Sequence, residues 1–251
     1  MYSDVTELRD FYASPLGQTA AQVLQPLLRS LWPSLRGLRV AGFGYAGPYL
    51  EALAGAAAGP VSLMPAAQGV VAWPAGAGNR ACLVEEECFP LPDLSLDRLI
   101  MVHALEHAPR PQSLLREAWR VLDGEGRLLI VVPNRRGLWA RVDLTPFGWG
   151  RPYSRGQVVR LLNDMLFEQL SAQRALYVPP TNRRWLQRSS AAWERLGGAA
   201  FPQFGGVLLI EARKRLAAPG LADPALGRRR VVPVLPSLAR RTGMPSERKG
   251  G

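Results

Sequence analysis

The 251-residue chain is short of several residue types, and each scarcity excludes something. It has 2 cysteines, Cys82 and Cys88, too few for a disulfide framework, so a reducing cytoplasmic compartment is expected. It has no uninterrupted run of about 18 apolar residues, so no membrane-spanning helix is expected. The opening MYSDVTELRDFY is acidic and lacks an apolar stretch, which argues against a secretory signal. Lysine is nearly absent: of the 31 basic residues 29 are arginine. Histidine occurs only as His103 and His107. What the chain does have is a hydrophobic content of 47%, enough for a sizeable core.

The net charge of +11 invites a nucleic-acid reading until it is partitioned. Residues 216–251 contribute +5, carry no aromatic residue and are rich in proline and glycine, the composition of a disordered tail. Residues 134–195 contribute +7, and the rest is close to neutral. No nucleic-acid-binding module is recognisable, so a nucleic-acid partner is disfavoured.

Apolar spacing predicts helices over 4–32, broken at Ser14-Pro15. This sets 1–34 apart as an N-terminal helical extension. A strand is expected at Leu38–Gly42, then a helix from Pro48 ending in glycines 55 and 59. Further strands are expected at 61–64, 80–84, 96–102 and 127–132, with a helix over 112–122. The apolar fourth strand reads as buried and parallel. Such alternation implies a parallel sheet with helices on both faces. Residues 134–154, rich in Gly, Pro and aromatics, read as an irregular loop. A helix from Ser154 to Leu170, a strand at 174–178, a helix at 183–196 and a last strand at 207–213 complete a domain over 35–215.

Gly42-Phe43-Gly44-Tyr45-Ala46-Gly47 fits G-x-G-x-x-G between a strand and a helix. Glycines there permit a tight turn and a close backbone approach to a ligand, and the helix start offers free N–H groups. A dinucleotide site also wants an acid at the end of the second strand. Here that position is Met64, and no Asp or Glu lies between Glu51 and Glu85.

The run Glu85-Glu86-Glu87-Cys88-Phe89-Pro90-Leu91-Pro92, the strand with Asp97, then His103-Ala104-Leu105-Glu106-His107, Arg120-Val121-Leu122 and Gly124-Glu125-Gly126 together resemble the small-molecule-type class I S-adenosylmethionine-dependent methyltransferases (methyltransferase type 11-like) over residues 35–134. The resemblance implies a Rossmann-like α/β fold of three layers, with a seven-stranded, mostly parallel sheet whose seventh strand inserts antiparallel between the fifth and sixth. It implies S-adenosyl-L-methionine as cofactor, turned under by Gly42, Gly44 and Gly47. Glu86 would meet the adenine amino group, Phe89 and Leu91 would line the adenine pocket, and Met64 stands at the ribose position. His103 to His107 would face the methyl-transfer cleft, either histidine serving as general base. Extensions before the first strand often cover the cofactor in this family, which nominates Tyr12 as a lid residue that orients the acceptor.

Departures qualify that implication: Met64 replaces the ribose-binding acid, and Gly-Glu-Gly replaces Gly-Gly. A non-catalytic binding or regulatory protein on the same fold and a nucleic-acid methyltransferase are the alternatives. A small-molecule acceptor is the leading partner, and a protein partner stays open. His103, Glu106 and His107 also spell H-x-x-E-H, an inverted zinc-peptidase motif. That motif needs a long helix and a third ligand; a strand runs into His103 and Pro109 follows at once, so no metal site is expected. The stretch from Trp139 to Arg155 reads equally as a substrate lid or as core aromatics with surface arginines.

Overall fold

A computed structural model of the chain describes residues 3–53, 59–76 and 78–216. The tail from residue 217 on and glycine 55 of the expected helix end lie outside the described residues. Helices α1 (Val5–Ala13) and α2 (Pro15–Leu31) come first. Asp4 caps α1 by accepting the Thr6 N–H at 2.7 Å. Ser14 caps α2, with Pro15 opening its first turn. The two helices meet at a corner only glycine allows: a Cβ at Gly17 would stand 2.0 Å from the Phe11 carbonyl oxygen.

The sheet comprises β1 (Val40–Gly44), β2 (Val61–Pro65), β3 (Ala81–Val84), β4 (Leu96–Val102), β5 (Leu122–Pro133), β6 (Phe167–Ala175) and β7 (Val207–Lys214). Its order is β3-β2-β1-β4-β5-β7-β6, with β7 antiparallel to both neighbours, as the resemblance implied. Helices α3 (Gly47–Leu53), α4 (Pro111–Val121), α5 (Arg155–Asp164), α6 (Arg184–Arg188) and α7 (Ser190–Ala200) complete it. Alternation along β4 builds two cores. Ile100 and Val102 face one, shared with α1, α2 and α3. Leu99 and Met101 face the other, shared with α4 and α5. This is the three-layer α/β/α architecture.

Several expectations shift. β1 begins and ends two residues later than its apolar run suggested, so Phe43 and Gly44 also belong to the strand. Gly42 is small because α3 packs there: a Cβ would lie 2.5 Å from the Ala46 methyl. The helix from Ser154 stops at Asp164 rather than Leu170, because Leu166 turns the chain at φ 60° and buried Phe167 with exposed Glu168 starts an edge strand. β6 consequently begins seven residues before the expected 174. The helix expected over 183–196 is divided at Ser189.

Candidate active site

The carboxyl ends of β1, β2 and β4 converge beneath the α1–α2 corner, where open α/β sheets place ligands. Gly44 takes φ 82°, and a Cβ there would come within 2.2 Å of the Val102 carbonyl oxygen. That close approach joins β1 to the end of β4, and the Tyr45 N–H donates to the same oxygen at 2.9 Å. Gly47, the first residue of α3, lies under the Trp73 indole; a Cβ would meet it at 3.0 Å. All three glycines of the motif are therefore demanded by packing.

A cavity of about 470 Å³ opens beside Gly47, within the range of small-molecule sites. Its walls include Tyr12 and Arg9 of α1, Gln22 and Gln25 of α2, Tyr45, Glu51, Met64 and Trp73. Met64 is buried at the end of β2 and its sulfur accepts the Val71 N–H at 3.5 Å, so the position expected to hold ribose is partly engaged by the chain itself. The Trp73 Nε1–H, by contrast, is buried with no hydrogen-bond partner. An orphaned donor on a cavity wall suits a ligand hydroxyl or carboxylate. Together with the Glu51 carboxylate and the Gly47 N–H at the start of α3, it gives the residues present a donor and acceptor set compatible with S-adenosylmethionine.

Tyr12 stands between the cavity and β4. Its ring stacks on Tyr45 at 5.4 Å, and its hydroxyl lies 2.9 Å from both Tyr49 Oη and His103 Nε2. Burial, and then the neighbouring Tyr49 hydroxyl, hold the Tyr12 phenol well above its ordinary value near 10, so it remains protonated. Burial likewise lifts Tyr45 to about 12. His103 sits at φ 51°, a left-handed conformation rare outside glycine and asparagine. Its Nδ1 faces Glu106 Oε1 at 3.5 Å, with both side chains buried and neither atom hydrogen-bonded. Glu106 Oε2 accepts the Ala104 N–H at 3.2 Å. Phe147 of the 134–154 loop tilts over the His103 ring at 4.6 Å, and Trp139 packs behind it.

Of the nominated residues, Tyr12, Gly47 and Met64 line the cavity, and His103 reaches it through Tyr12. His107 is buried against Gly150. Glu86 is half-buried on the turn after β3, while Phe89 packs on Phe43 at 5.0 Å in the α4-side core. His103, Glu106 and His107 come within 4.8 Å of one another, close enough to hold a metal ion, although 103–107 form a loop rather than the peptidase helix. The 134–154 segment combines both readings: Trp139 and Phe147 are core residues that cover His103, and Arg135, Arg136, Arg141 and Arg151 are exposed. Sequence reasoning missed Trp73 and Tyr49; the first lies in a loop of no motif, and the second reads as one more apolar position of α3.

Residues 41–130 match the sequence pattern of a family described as Methyltransferase domain. Among curated proteins none matches the chain by sequence. Similar solved structures include a SAM-dependent methyltransferase of Thermotoga maritima, 16% identical, with a TM-score of 0.58 over 84% of this chain and 96% of that one. An S-adenosylmethionine-dependent methyltransferase of Mesorhizobium loti is 16% identical, with a TM-score of 0.52 over 75% and 96%. The cyclase SpnF is 18% identical, with a TM-score of 0.53 over 77% and 81%. These likenesses show a fold, and SpnF shows that the fold also hosts other chemistry. Residues 41–130 thus carry the sequence pattern of a methyltransferase domain, and the chain shares the fold of these S-adenosylmethionine-dependent methyltransferase structures.

Proposed function

We propose that the chain is an active, cytoplasmic S-adenosylmethionine-dependent methyltransferase of a small-molecule acceptor, with His103 as its general base. The observation that carries this reading is the buried line from Tyr12 Oη to His103 Nε2 at 2.9 Å, continued by His103 Nδ1 facing Glu106. The cofactor, when bound, supplies a methyl group on a positively charged sulfur. The Gly47 N–H, Trp73 Nε1 and Glu51 would hold it, in place of the acid that Met64 replaces. Tyr12, protonated, donates to His103 Nε2 in the closed site and hands that contact to the acceptor when α1 moves. Glu106 favours the tautomer with the proton on Nδ1, which leaves the Nε2 lone pair aimed at an acceptor O–H or N–H. Phe147, Tyr45 and Trp73 exclude water, so the acceptor is desolvated where its proton leaves.

Isothermal titration with S-adenosylmethionine tests the reading. Binding is expected, weakened about tenfold by Trp73→Phe, which keeps the ring and removes the N–H. No heat at millimolar cofactor would overturn it. That outcome would instead favour a non-catalytic protein on this fold, a reading supported by the engagement of the Met64 sulfur by Val71.

A further inference from the structure

Segment 183–204, comprising α6, α7 and a short turn over Pro202–Phe204, joins the carboxyl end of β6 to the start of β7. Because β6 runs parallel to β5, this segment lies at the same end of the sheet as Tyr12 and His103. It is held by a few anchors. Glu194 accepts the Leu176, Tyr177 and Val178 N–H groups at 2.7–3.3 Å, and Gly197 lets α7 close onto the Tyr177 ring. Gln187 is also buried, and most of the remaining residues are exposed, with a composition unusual for a solvated surface.

Every exposed tryptophan and phenylalanine among the described residues is here: Trp185 (64% exposed), Trp193, Phe201 (64%) and Phe204, with Leu196 (67%) beside them. Trp193, Leu196 and Ala200 recur at i, i+3 and i+7, so they form one stripe along α7 that runs into Phe201. Interleaved with them, Arg183, Arg184, Arg188 and Arg195 are all exposed, while Glu194, the one acid, is turned inward. Large apolar side chains exposed this densely within 22 residues are what an interaction surface is made of.

We propose that 183–204 is a membrane-surface binding element that seats this end of the domain on an anionic lipid bilayer. The chemistry is complementary in both of its parts. Tryptophan and phenylalanine partition to the headgroup and acyl boundary, and arginines engage lipid phosphates from the same plane. No helix among the described residues is long and apolar enough to cross a membrane, so the contact is peripheral. The rim of the candidate site would face the bilayer, where a membrane-dissolved acceptor could be taken up directly. The proposal does not depend on methyl transfer, since lipid binding needs no cofactor.

Flotation of the full chain with vesicles tests it, comparing phosphatidylcholine alone with phosphatidylcholine plus phosphatidylglycerol. Binding to the anionic vesicles only, weakening as salt rises, is expected, with tryptophan emission quenched by brominated acyl chains. Arg183→Gln/Arg184→Gln/Arg188→Gln should lower the partition coefficient on the order of a hundredfold. Trp185→Ser/Trp193→Ser/Phe201→Ser should lower it more than about tenfold and abolish the quenching. No binding at low salt would overturn the proposal. So would binding that survives both variants and falls only with Arg228→Gln/Arg229→Gln/Arg230→Gln, which would move the contact to the tail. A dimer in sedimentation that the aromatic variant dissociates would assign the face to a second copy. Tighter retention of a single-stranded RNA by the same arginines would assign it to nucleic acid. Either of these would overturn the proposal as well.

Discussion

The two ends of the sheet are built on opposite principles. At the amino ends of β1 and β4, Arg39 and the nearby Arg120 are each paired with carboxylates. Arg39 donates to both Asp97 oxygens, at 2.9 and 3.1 Å. Arg120 donates to Glu117, to Asp93 and to the Phe89 and Leu91 carbonyls, pinning the loop that precedes β4. At the carboxyl ends the polar atoms are buried and in part unsatisfied: His103 Nδ1, Glu106 Oε1, Trp73 Nε1 and both amide atoms of Gln68. Positive φ does not separate the two ends, since His103 and Leu176 carry it at the carboxyl side and Leu94 and Leu166 at the amino side. Unsatisfied buried groups cost free energy, and in folded proteins they concentrate where a ligand or a reaction completes them. The amino end serves stability, and the carboxyl end gives some of it up for a site.

The largest test of this contrast uses two glycines that both have positive φ. Gly37, just before β1, takes φ 74° with nothing within 4 Å of an added Cβ. Gly44, at the other end of the same strand, takes φ 82° with the Val102 oxygen 2.2 Å away. Gly37→Ala should cost only the left-handed backbone penalty, about 1–2 kcal/mol. Gly44→Ala adds a backbone clash that no rotamer relieves and should cost more than about 4 kcal/mol or leave no folded protein. Urea unfolding midpoints decide it; equal costs would break the claim that the site end is the more tightly constrained.

A second contrast sets stability against activity. Arg120→Ala removes four kinds of acceptor contact from a side chain only 30% exposed and leaves Glu117, itself 14% exposed, without its partner. It should lower stability by about 2 kcal/mol. Glu106→Gln is nearly isosteric, and its Oε1 has no hydrogen bond to lose. Its melting temperature should shift less than that of Arg120→Ala. Its turnover on any acceptor found should fall about a hundredfold, the usual scale for disturbing a general base. A Glu106 variant that unfolds while keeping its rate would reverse the roles of the two ends.

The sequence made the amino end and the framework readable, and the carboxyl end much less so. Strand β4 was placed to the residue because an apolar-rich run of seven positions, entered from the Pro92-Asp93 turn and closed by His103, has one interpretation in a parallel sheet. Both helix boundaries at Ser14 were readable from a Ser-Pro pair, and the start of α5 from a capping serine. The end of α5 was not readable, because Leu166 and Phe167 continue its apolar spacing and only tertiary pairing with β7 turns them into a strand. At the candidate site, His103, Gly47 and Met64 were nominated from motif position and Tyr12 from the extension before β1, and of these Tyr12, Gly47 and Met64 line the cavity. Trp73, Tyr49 and the enclosure of His103 by Phe147 were not, because they depend on segments that meet across more than twenty residues. Local patterns carry no information about such meetings. The exposed aromatics of 183–204 were hidden for the converse reason: helical spacing reads as core until a structure places nothing over it.

The smallest expected effect concerns the amino end and acid. Hydrogen bonds from the Arg39 side chain and backbone N–H hold the Asp97 carboxyl below its ordinary value near 3.8. A carboxyl depressed in the folded state binds fewer protons there than in the unfolded chain, so its contribution is complete above about pH 3.8 and is lost as pH falls through the folded value. Both partners reach solvent, which screens the pair and keeps the effect small. The melting temperature of Asp97→Asn should therefore lie slightly below that of the wild type near neutrality, and the gap should close as the buffer is taken below about pH 3.8. Added salt should narrow it at every pH. A gap that widened in acid would mean that Asp97 is not held by Arg39 in the folded chain, and the amino end would lose its claim to be the satisfied one.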